Sequence, residues 1–334
     1  VLKLKNREKE LVRGIDEMIV KVLACGLTPG DCRMLDGSAD LIRVPVDGFP
    51  YIPAGDICGI VEECEIDSKF KKGDHIVATW DMMGVGGMAE YAVVKTIQVH
   101  LKPSNATAEE GAAIVNSAVY AYNGVEISKV KHGDRILVLG GGGGLGSFVI
   151  QMARAAGASF IAATSTDEEL MKRLNVDRFI HYKNENWWEV EEFQKKEGLF
   201  DKVFDCAEGV QGWNKCNVLK SGLRGGCWYA YVQNDWDLKV HAYSDMLSVL
   251  GRPLIRVITA SICQFYSPRY QMMLGGNDPE TRAKTCNMFS EGKFEVILHG
   301  DHSFAFVESD VIDAFQLIEM RKGHGNVVVS ICKS

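Results

Sequence analysis

The chain has 334 residues, of which 46% are hydrophobic and 24% charged, and its formal net charge is −7. This balance argues against a disordered chain, and the scattered lysines and arginines argue against a nucleic-acid binder, which needs a clustered basic face. No apolar run reaches the roughly 20 residues that a bilayer-spanning helix requires. We therefore expect a folded protein without a membrane span, built from one large or two coupled domains.

The ten cysteines contain no C-x-x-C pair, and most lie in apolar stretches such as "VFDCA". Thiols in that setting behave as small hydrophobic side chains of a reducing compartment, whereas a structural zinc needs closely spaced thiolates. We expect reduced cysteines, no metal site and no secretion. Because the chain starts at Val1 and shows no apolar signal core, a removed targeting segment and a trimmed start both fit.

The first third of the chain alternates apolar and polar residues in short runs broken by glycine and proline, as in "EMIVKVLACG", "GDICGIVEE", "GDHIVATW" and "GMAEYAVV". This period of two predicts the strands of an antiparallel, barrel-like region. From Ala108 the stretch "AEEGAAIVNSAVYAYNGV" has helical spacing, with acids near its start as a helix N-terminus prefers. A second architecture therefore begins here.

From Asp134 short apolar strands such as "RILVLG", "SFIAATS" and "KVFDCA" alternate with helices such as "LGSFVIQMARAAG", "DEELMKRLN", "WEVEEFQKK" and "WNKCNVLKS". This alternation predicts an α/β fold of Rossmann type, with a doubly wound parallel sheet. After about Ser290 strand-like text returns in "FEVILHG" and "NVVVSI", around the helix "SDVIDAFQLIEMRK". We predict that residues 1–118 and 290–334 form the first domain and residues 119–289 the Rossmann domain.

The stretch "ILVLGGGGGLG" runs from a buried strand into the motif G-x-G-x-x-G, and a helix follows it. On its own the motif is weak, and a glycine turn without a ligand is the alternative. In this context the glycines permit a tight turn, let the backbone approach a pyrophosphate, and place the helix N-terminus at anionic oxygens. We predict a dinucleotide site at Gly141, Gly143, Gly144, Leu145 and Gly146.

The end of the next strand, "SFIAATSTDEE", decides which dinucleotide fits. An NAD site usually offers Asp or Glu there, whereas this strand ends in Thr164, Ser165 and Thr166, whose hydroxyls can bind a phosphate. The acids that follow fit the first turn of the next helix. NADP(H) is therefore favoured over NAD. Candidates for the missing positive charge, with solvated helix surface as an equal alternative, are Lys172, Arg173 and Lys183.

With this motif after a barrel-like first domain, the chain resembles the medium-chain dehydrogenase/reductase superfamily, and within it the zinc-independent quinone oxidoreductase branch. The resemblance runs from about Glu17 to Ile331 and is carried by "VLACGLTPGD", "FPYIPAGDICGIVEE", "GGMAEYAVV", "GDRILVLGGGGGLGSFVIQMARAAGA" and "FDKVFDCAEG". The later text "FYSPRYQMML" is similar to reticulon-interacting mitochondrial NADPH oxidoreductases and plastid alkenal reductases. The resemblance implies a GroES-like β-barrel catalytic domain, a homodimer, and a location in the cytoplasm, mitochondrial matrix or plastid.

Zinc-dependent members of this superfamily carry metal ligands where this chain, by our alignment, has Thr28, Asp56 and Asn116. Two of the three positions, Thr28 and Asn116, have no usual zinc ligand, so the resemblance implies no catalytic zinc. Without a Lewis acid, hydride transfer suits a conjugated electrophile, such as a quinone or an α,β-unsaturated carbonyl. The resemblance thus assigns Thr28, Asp56 and Asn116 to the catalytic site, with a turn-stabilising carboxylate as an equal alternative for Asp56 and helix packing as an equal alternative for Asn116. It also places Tyr182 near the adenosine phosphate and Asn326 where relatives have a lysine that contacts NADPH.

The leading hypothesis is a zinc-independent, NADPH-dependent reductase of a quinone or enone substrate. A zinc alcohol dehydrogenase is the weaker enzymatic alternative. The third hypothesis is an accessory subunit of a larger assembly, such as a mitochondrial one, that binds a dinucleotide and has little or no activity. The departures from the family pattern at Thr28 and Asn326 are what keeps this third hypothesis open.

Overall fold

The computed structural model describes residues 2–5, 11–35, 50–80, 86–231, 243–273 and 276–332, and for residues 243–250 it describes the backbone alone. The strands are β1 (Glu17–Leu27), β2 (Asp56–Glu63), β3 (His75–Thr79), β4 (Tyr91–Lys95), β5 (Val99–Leu101), β6 (Arg135–Leu139), β7 (Phe160–Ser165), β8 (Arg178–His181), β9 (Lys202–Asp205), β10 (Cys227–Ala230), β11 (Arg269–Met272), β12 (Phe304–Ala305) and β13 (Val327–Ser330). The α-helices are α1 (Pro29–Leu35), α2 (Ala108–Ala113), α3 (Val119–Ser128), α4 (Gly144–Ala155), α5 (Glu168–Arg173), α6 (Glu191–Gln194), α7 (Val210–Trp213), α8 (Tyr243–Ile262), α9 (Pro279–Ser290) and α10 (Glu308–Glu319). A π-helix covers Ile114–Ala118.

Contacts divide the chain into two compact units. The first unit is Val1–Val119 with Asn277–Ser334, and the second unit is Tyr120–Gly276. The sequence-based division placed α9 in the Rossmann domain, whereas its contacts group it with the first unit. The Arg282 side chain of α9 donates to the carbonyl oxygen of Ile97 at 3.1 Å, which fastens this helix beside β5.

In the first unit the described strands form one sheet in the order β12-β13-β1-β2-β3-β5, and β4 pairs with β1. All of these pairs are antiparallel except β12 with β13, so the predicted antiparallel sheet is confirmed. Closure of this order into a barrel stays a prediction. Along β1 the apolar side chains of Met18, Val20 and Val22 are fully buried at every second position, and Phe315 of α10 belongs to the same core. This alternation of buried side chains explains why the segment forms the long strand β1.

In the second unit the described strands form a parallel sheet in the order β11-β10-β9-β6-β7-β8. The predicted doubly wound Rossmann sheet is confirmed. Its central strands read as continuous apolar runs because helices cover both faces of such a sheet. The strand order reverses between β6 and β9, and in open α/β sheets ligands bind outside the carboxyl ends of the strands at this point. The glycine motif follows β6 and therefore lies there.

Two predicted helices of the second unit are shorter than expected. The stretch "WNKCNVLKS" contains the end of α7 and a 3₁₀ turn instead of a full helix. Phe200 forms a parallel bridge with Leu219, and its N–H donates to the carbonyl oxygen of Val218 at 2.9 Å. This pairing draws the backbone into an extended form. The stretch "WEVEEFQKK" yields only the four residues of α6.

The strand predicted in "FEVILHG" does not pair with a neighbouring strand as a ladder in the described structure. A single parallel bridge joins Leu298 to Asn326 in its place. The neighbouring prediction, a helix over "SDVIDAFQLIEMRK" followed by a strand in "NVVVSI", is confirmed by α10 and β13. The short turn expected at "MMGVGG" lies mostly outside the described residues.

Candidate functional site

The glycine motif forms the turn between β6 and α4. Gly140 turns the chain in the left-handed region, with φ +77°, where glycine is tolerated at no steric cost. The N–H of Gly143 donates to the Gly140 carbonyl oxygen at 3.1 Å, and Gly143 precedes α4 without a side chain that could cap it. The N–H groups of residues 144–146 therefore stand at an uncapped helix N-terminus, which is suited to anionic oxygens.

The glycines of the motif differ in what an added Cβ atom would meet. At Gly146 it would lie 2.2 Å from the carbonyl oxygen of Gly140, and at Gly141 it would lie 2.8 Å from the Cβ of Ala163. Close packing of turn, helix and strand requires glycine at both. At Gly143 the nearest atom would be 3.6 Å away, an ordinary contact. Packing does not require glycine there, which fits a backbone kept bare for a pyrophosphate.

The three hydroxyl residues at the end of β7 have different partners. Thr164 is 2% exposed; its Oγ1 accepts a hydrogen bond from the Gly140 N–H at 2.8 Å, and its carbonyl oxygen accepts one from the Gly141 N–H at 2.9 Å. Ser165 is buried, and its Oγ accepts a hydrogen bond from the backbone two residues further on. Thr166 is half-buried. Thr164 thus anchors the glycine turn, and a phosphate contact here remains a prediction for Thr164, Ser165 and Thr166.

The acids after β7 belong to the next helix, as the sequence predicted. Asp167 caps α5 by accepting a hydrogen bond from the Leu170 N–H at 2.9 Å. Lys172 pairs with Glu168 at 3.1 Å and with Glu169 at 2.8 Å, and all three side chains are well exposed. Of the two interpretations of Lys172, this geometry favours solvated helix surface, because both acids compete with a phosphate for its charge.

Tyr182 follows β8 at the same edge of the sheet. Its side chain is 48% exposed, and its ring stacks on that of His181 with the centroids 6.4 Å apart. In the register of β7 with β8, His181 lies opposite Ser165. Tyr182 is therefore close to the hydroxyl-bearing end of β7, and its adenosine contact stays a prediction.

Asp56, at the start of β2, is the centre of a buried hydrogen-bond network in the first unit. It is 5% exposed; its Oδ1 accepts a hydrogen bond from Thr79 Oγ1 at 2.6 Å, and its Oδ2 accepts one from Asn116 Nδ2 at 2.8 Å. Asn116 lies in the π-helix, a widened turn that is frequent at functional sites. The structure thus brings together two of the three predicted catalytic residues. Thr79, a partner that sequence reasoning missed, joins them.

Thr28 follows β1 and is bonded to Asp31. Its backbone N–H and its Oγ1 both donate to Asp31 Oδ2, each at 2.8 Å, so the single hydroxyl proton is committed. Asp31, which sequence reasoning did not assign to the site, is 7% exposed. Burial, with Asp31 and then Cys32 beside it, raises the pKa of Tyr51. A hydroxyl, a carboxylate and a phenol therefore share this corner of the first unit.

These two groups of side chains lie at the same end of the sheet. In the antiparallel register of β1 with β2, Gly26 lies opposite Asp56, so the end of β1 meets the start of β2. Cys25 on β1 is fully buried, and burial, followed by the charges of Asp31 and Asp56, raises its pKa. Cys25 is therefore an unreactive thiol between two carboxylates.

Asn326, just before β13, is 7% exposed and acts within the first unit. Its Nδ2 and its backbone N–H both donate to the carbonyl oxygen of Ile297, at 3.1 and 2.7 Å. The side chain thus fastens the segment before the His299 turn to the last strand. An NADPH contact for Asn326 stays a prediction.

Within the described ranges, no group of three or more His, Cys, Asp or Glu side chains is arranged to hold a metal ion. All ten cysteines are free thiols, and Cys263 is exposed. None of the helices described here is both long and apolar enough to cross a bilayer.

Two family descriptions match the chain. The alcohol dehydrogenase GroES-like domain matches residues 14–104, and the zinc-binding dehydrogenase description matches residues 144–224. The first match falls in the first unit and the second match in the second unit.

Similar proteins cover most of the chain. It is 29% identical over 324 residues to the 2-methylene-furan-3-one reductase of Solanum lycopersicum (94% of this chain, 71% of that protein) and 28% identical over 351 residues to the mitochondrial NAD(P)H oxidoreductase RTN4IP1 of Danio rerio (98% and 87%). It is 32% identical over 218 residues to the chloroplastic NADPH-dependent alkenal/one oxidoreductase of Arabidopsis thaliana (62% and 53%). The structure of the quinone oxidoreductase from Coxiella burnetii superposes with a TM-score of 0.77 at 20% identity, over 99% of this chain and 95% of that one, and shows the same fold.

Proposed function

Because the chain belongs to the medium-chain dehydrogenase/reductase superfamily, we propose that it is an NADPH-dependent reductase that transfers hydride to a quinone or an α,β-unsaturated carbonyl compound. The observation that carries the proposal is the glycine turn, in which Gly143 is left bare although packing does not require it. The names of the relatives from Solanum lycopersicum, Danio rerio and Arabidopsis thaliana support the same class of reaction.

The second unit has the residues that would hold the cofactor. The N–H groups of residues 144–146 would bind the pyrophosphate at the start of α4, and Ser165 and Thr166 would lie nearest the adenosine ribose. No carboxylate ends β7, since Asp167 is turned into the cap of α5, so little repels a 2′-phosphate. NADPH, when bound, supplies the hydride.

The first unit has the residues that would act on the substrate oxygen. Asp56 accepts one N–H of the Asn116 amide and so fixes its orientation, and the amide keeps a second N–H. That second N–H can donate to an oxygen that gains negative charge as hydride arrives. The Thr28 hydroxyl donates its hydrogen bond to Asp31 and is left to act as an acceptor, whereas the raised pKa of Tyr51 keeps its phenol neutral, so that it can donate a hydrogen bond but is a weaker acid.

The test is to mix the purified protein with NADPH and a panel of quinones and conjugated enals and enones. We expect saturable loss of the absorbance of reduced nicotinamide with some members of the panel, and a slower reaction with NADH. Simple saturated ketones and aldehydes are the matched controls, because they lack the conjugation that activates the electrophile. Oxidation of NADPH by none of the panel above the rate without protein would contradict the proposal.

Two further outcomes separate the alternatives. Turnover of a saturated alcohol with NADP⁺ that is lost on chelation and restored by zinc would instead indicate an alcohol dehydrogenase. NADPH binding without turnover, together with stable co-purification in a larger assembly, would indicate an accessory subunit.

We also propose that two copies of the chain form a homodimer. Support comes from an apolar stripe on α8 and the turn after it, which consists of Leu254, Ile255, Ile258, Ile262, Phe265 and Tyr266. These side chains are between 50% and 94% exposed. Large side chains exposed to this degree leave on the order of 800 Å² of apolar surface, about what each partner buries in a standard interface. The edge strand of the parallel sheet, β11, packs against α8.

The dimer is tested by sedimentation equilibrium. The wild-type chain should sediment as a dimer, and the double variant Ile258→Lys, Ile262→Lys should sediment as a monomer. Ile127→Lys, which adds a charge at another exposed isoleucine of the second unit, is the control and should remain dimeric. A monomeric wild-type chain, or a double variant that still dimerises, would contradict this proposal.

For the compartment, we propose the cytoplasm or an organelle, either the mitochondrial matrix or the plastid. The free thiols support a reducing environment, and two of the relatives are named mitochondrial and chloroplastic. Fluorescence microscopy of the full-length natural protein, tagged at its C-terminus, distinguishes these locations. Secretion into the medium would contradict them all.

A further inference from the structure

Asp205, at the carboxyl end of β9, is fully buried. Its Oδ1 accepts hydrogen bonds from the backbone N–H groups of Ala207 at 3.1 Å and Glu208 at 2.7 Å. Its Oδ2 is buried too, and among the residues that the structure describes it has no hydrogen-bond partner. Ionisation of a carboxyl oxygen in this position is costly, because it is shielded from bulk solvent and no described donor bonds it.

The surroundings of Asp205 are aromatic. In the register of β9 with β10 it lies opposite Ala230, and Trp228 lies on the same face of the sheet two residues earlier. Trp228 is fully buried and packs against Trp187 and Trp213, with ring centroids 6.2 and 5.9 Å away. This cluster is a medium of low polarity, in which a neutral acid is more stable than a carboxylate.

The charged and titratable groups around Asp205 also oppose its ionisation. Glu208, in the turn that follows, adds a like charge, and Cys206 and Tyr270 are the other titratable groups that interact with Asp205. The nearby cations act elsewhere, since Lys215 interacts with Glu208 and Arg256 with Tyr270. Burial, partly opposed by the N–H groups of the turn, raises the pKa of Asp205 to about 7.

The turn of residues 206–208, which Asp205 holds, packs directly against the glycine turn. A Cβ atom at Gly140 would lie 2.7 Å from the Cβ of Ala207, so the two turns are in close contact. The N–H of Cys206 also donates to the carbonyl oxygen of Leu139, the last residue before the glycine turn, at 3.0 Å. Movement of residues 206–208 therefore displaces the backbone that leads into the dinucleotide site.

We propose that Asp205 is a positioning residue for the dinucleotide turn: its neutral carboxyl group holds residues 206–208 against Gly140, and its ionisation loosens this contact and weakens NADPH binding. The proposal rests on the proposed function only in taking NADPH as the ligand of the glycine turn. The substrate reduced by the protein does not enter it.

The first test compares NADPH binding by the wild-type chain and Asp205→Asn from about pH 5.5 to about pH 8.5, a range that brackets the titration. Asn keeps an oxygen for the N–H groups of Ala207 and Glu208 but cannot ionise. Titration of the 2′-phosphate is common to both proteins, so the ratio of their dissociation constants isolates Asp205. We expect the wild-type constant to rise about three- to tenfold relative to the variant as the pH rises. A ratio that does not change with pH would overturn the proposal.

A second variant guards against a misfolded Asp205→Asn. Glu208→Gln removes the like charge and keeps an oxygen for the Trp187 Nε1, which donates to Glu208 at 2.9 Å. The midpoint of the pH dependence of NADPH binding should then fall, because Asp205 ionises at a lower pH once the like charge of Glu208 is gone. An unchanged midpoint would contradict the proposal.

A third readout needs neither ligand nor turnover. Trp228 lies on the same face of the sheet as Asp205 and packs against Trp187, so in the free protein tryptophan fluorescence should change with a midpoint near neutral pH, and this change should be absent from Asp205→Asn. The protection of the amides of residues 140–146 against exchange, measured relative to the intrinsic rate at each pH, should fall above that midpoint in the wild-type chain alone. Failure of the quinone and enone assay would leave these results standing, whereas identical profiles for the two proteins would overturn the inference whatever the turnover.

Discussion

The glycine turn of the second unit and the Asp56 network of the first unit differ in which atoms make their contacts. In the turn, backbone atoms make the contacts, and Gly140, Gly141 and Gly146 are needed because the chain approaches itself closely. In the network, side chains make the hydrogen bonds, and the carboxylate of Asp56 joins Thr79 to Asn116. The first kind of site tolerates almost no added atom, whereas the second depends on every donor having its acceptor.

This difference predicts different consequences of mutation. An added methyl group in the turn should mainly weaken cofactor binding, because the backbone that meets the pyrophosphate is displaced. A lost oxygen in the network should mainly lower turnover, because Asn116 loses its orientation while the cofactor site in the other unit is untouched.

The largest effect is expected for Gly146→Ala. Its Cβ would lie 2.2 Å from the Gly140 carbonyl oxygen, so turn and helix must separate. Overpacking of this kind costs about 1–3 kcal/mol of stability. We expect a rise of about 100-fold in the dissociation constant of NADPH, which calorimetry measures.

The matched control is Gly143→Ala, where the nearest atom is 3.6 Å from the new Cβ. Its melting temperature should stay close to that of the wild type, while NADPH binding weakens about tenfold because the methyl group occupies space meant for the pyrophosphate. Wild-type NADPH affinity in Gly143→Ala would show that the pyrophosphate does not lie against the backbone at this position.

The next effect is expected for Asp56→Ala. It leaves the Thr79 hydroxyl and the Asn116 amide without their acceptor in a buried place, which costs about 1–3 kcal/mol of stability. We expect kcat to fall about 10- to 100-fold, as for the loss of one oriented donor, with the NADPH dissociation constant changed less than about twofold. The conservative pair Thr79→Ser and Thr79→Val tests the same network, and only the valine variant should lose activity. Equal loss of NADPH affinity and kcat in Asp56→Ala would contradict the claim that the network affects turnover and the glycine turn affects cofactor binding.

A smaller effect is expected for Thr164→Val. The change removes the oxygen that accepts the Gly140 N–H at 2.8 Å and leaves that half-buried donor without its acceptor, at a cost of about 1 kcal/mol. The dissociation constant of NADPH should rise about threefold to tenfold. Thr164→Ser keeps the oxygen and should bind NADPH as the wild type does; if serine and valine behave alike, Thr164 does not anchor the turn.

The smallest effect is expected for Lys172→Ala. Lys172 is exposed and already paired with Glu168 and Glu169, so the preference for NADPH over NADH should change less than about twofold. Thr166→Asp is the contrasting variant, because a carboxylate at the end of β7 repels a 2′-phosphate; it should lower the preference at least about tenfold. A large loss of preference in Lys172→Ala would restore this lysine as the phosphate ligand.

The sequence predicts the geometry of the glycine turn more fully than that of the Asp56 network, for a physical reason. A strand, three spaced glycines and a helix are contiguous, so their geometry follows from local conformational rules. The bonds of Asp56 to Thr79 and Asn116 depend on the register of separate strands and on the π-helix, neither of which short patterns encode. The partner of Thr28, Asp31, lies only three residues away but has no motif that distinguishes it from a helix-start acid.

The misjudged elements have the same origin. The helix expected over "WNKCNVLKS" is shortened by a bridge between Phe200 and Leu219, and the strand expected in "FEVILHG" is reduced to a bridge with Asn326. The bond of Thr164 to the Gly140 N–H likewise appears only when β7 lies beside β6, and the phosphate contact predicted for Thr164 stays a prediction. Tertiary pairing decided each of these cases over local propensity.

The most direct test of the central claim follows the hydride itself. NADPH that carries deuterium at the transferable position of the nicotinamide would be supplied with a conjugated enone, and the product would be analysed by mass spectrometry and NMR. The account predicts one deuterium at the β-carbon of the enone, and much less of this product with Gly146→Ala at an NADPH concentration below the dissociation constant of that variant. Deuterium on the carbonyl carbon, or no labelled product while NADPH binds normally, would contradict it.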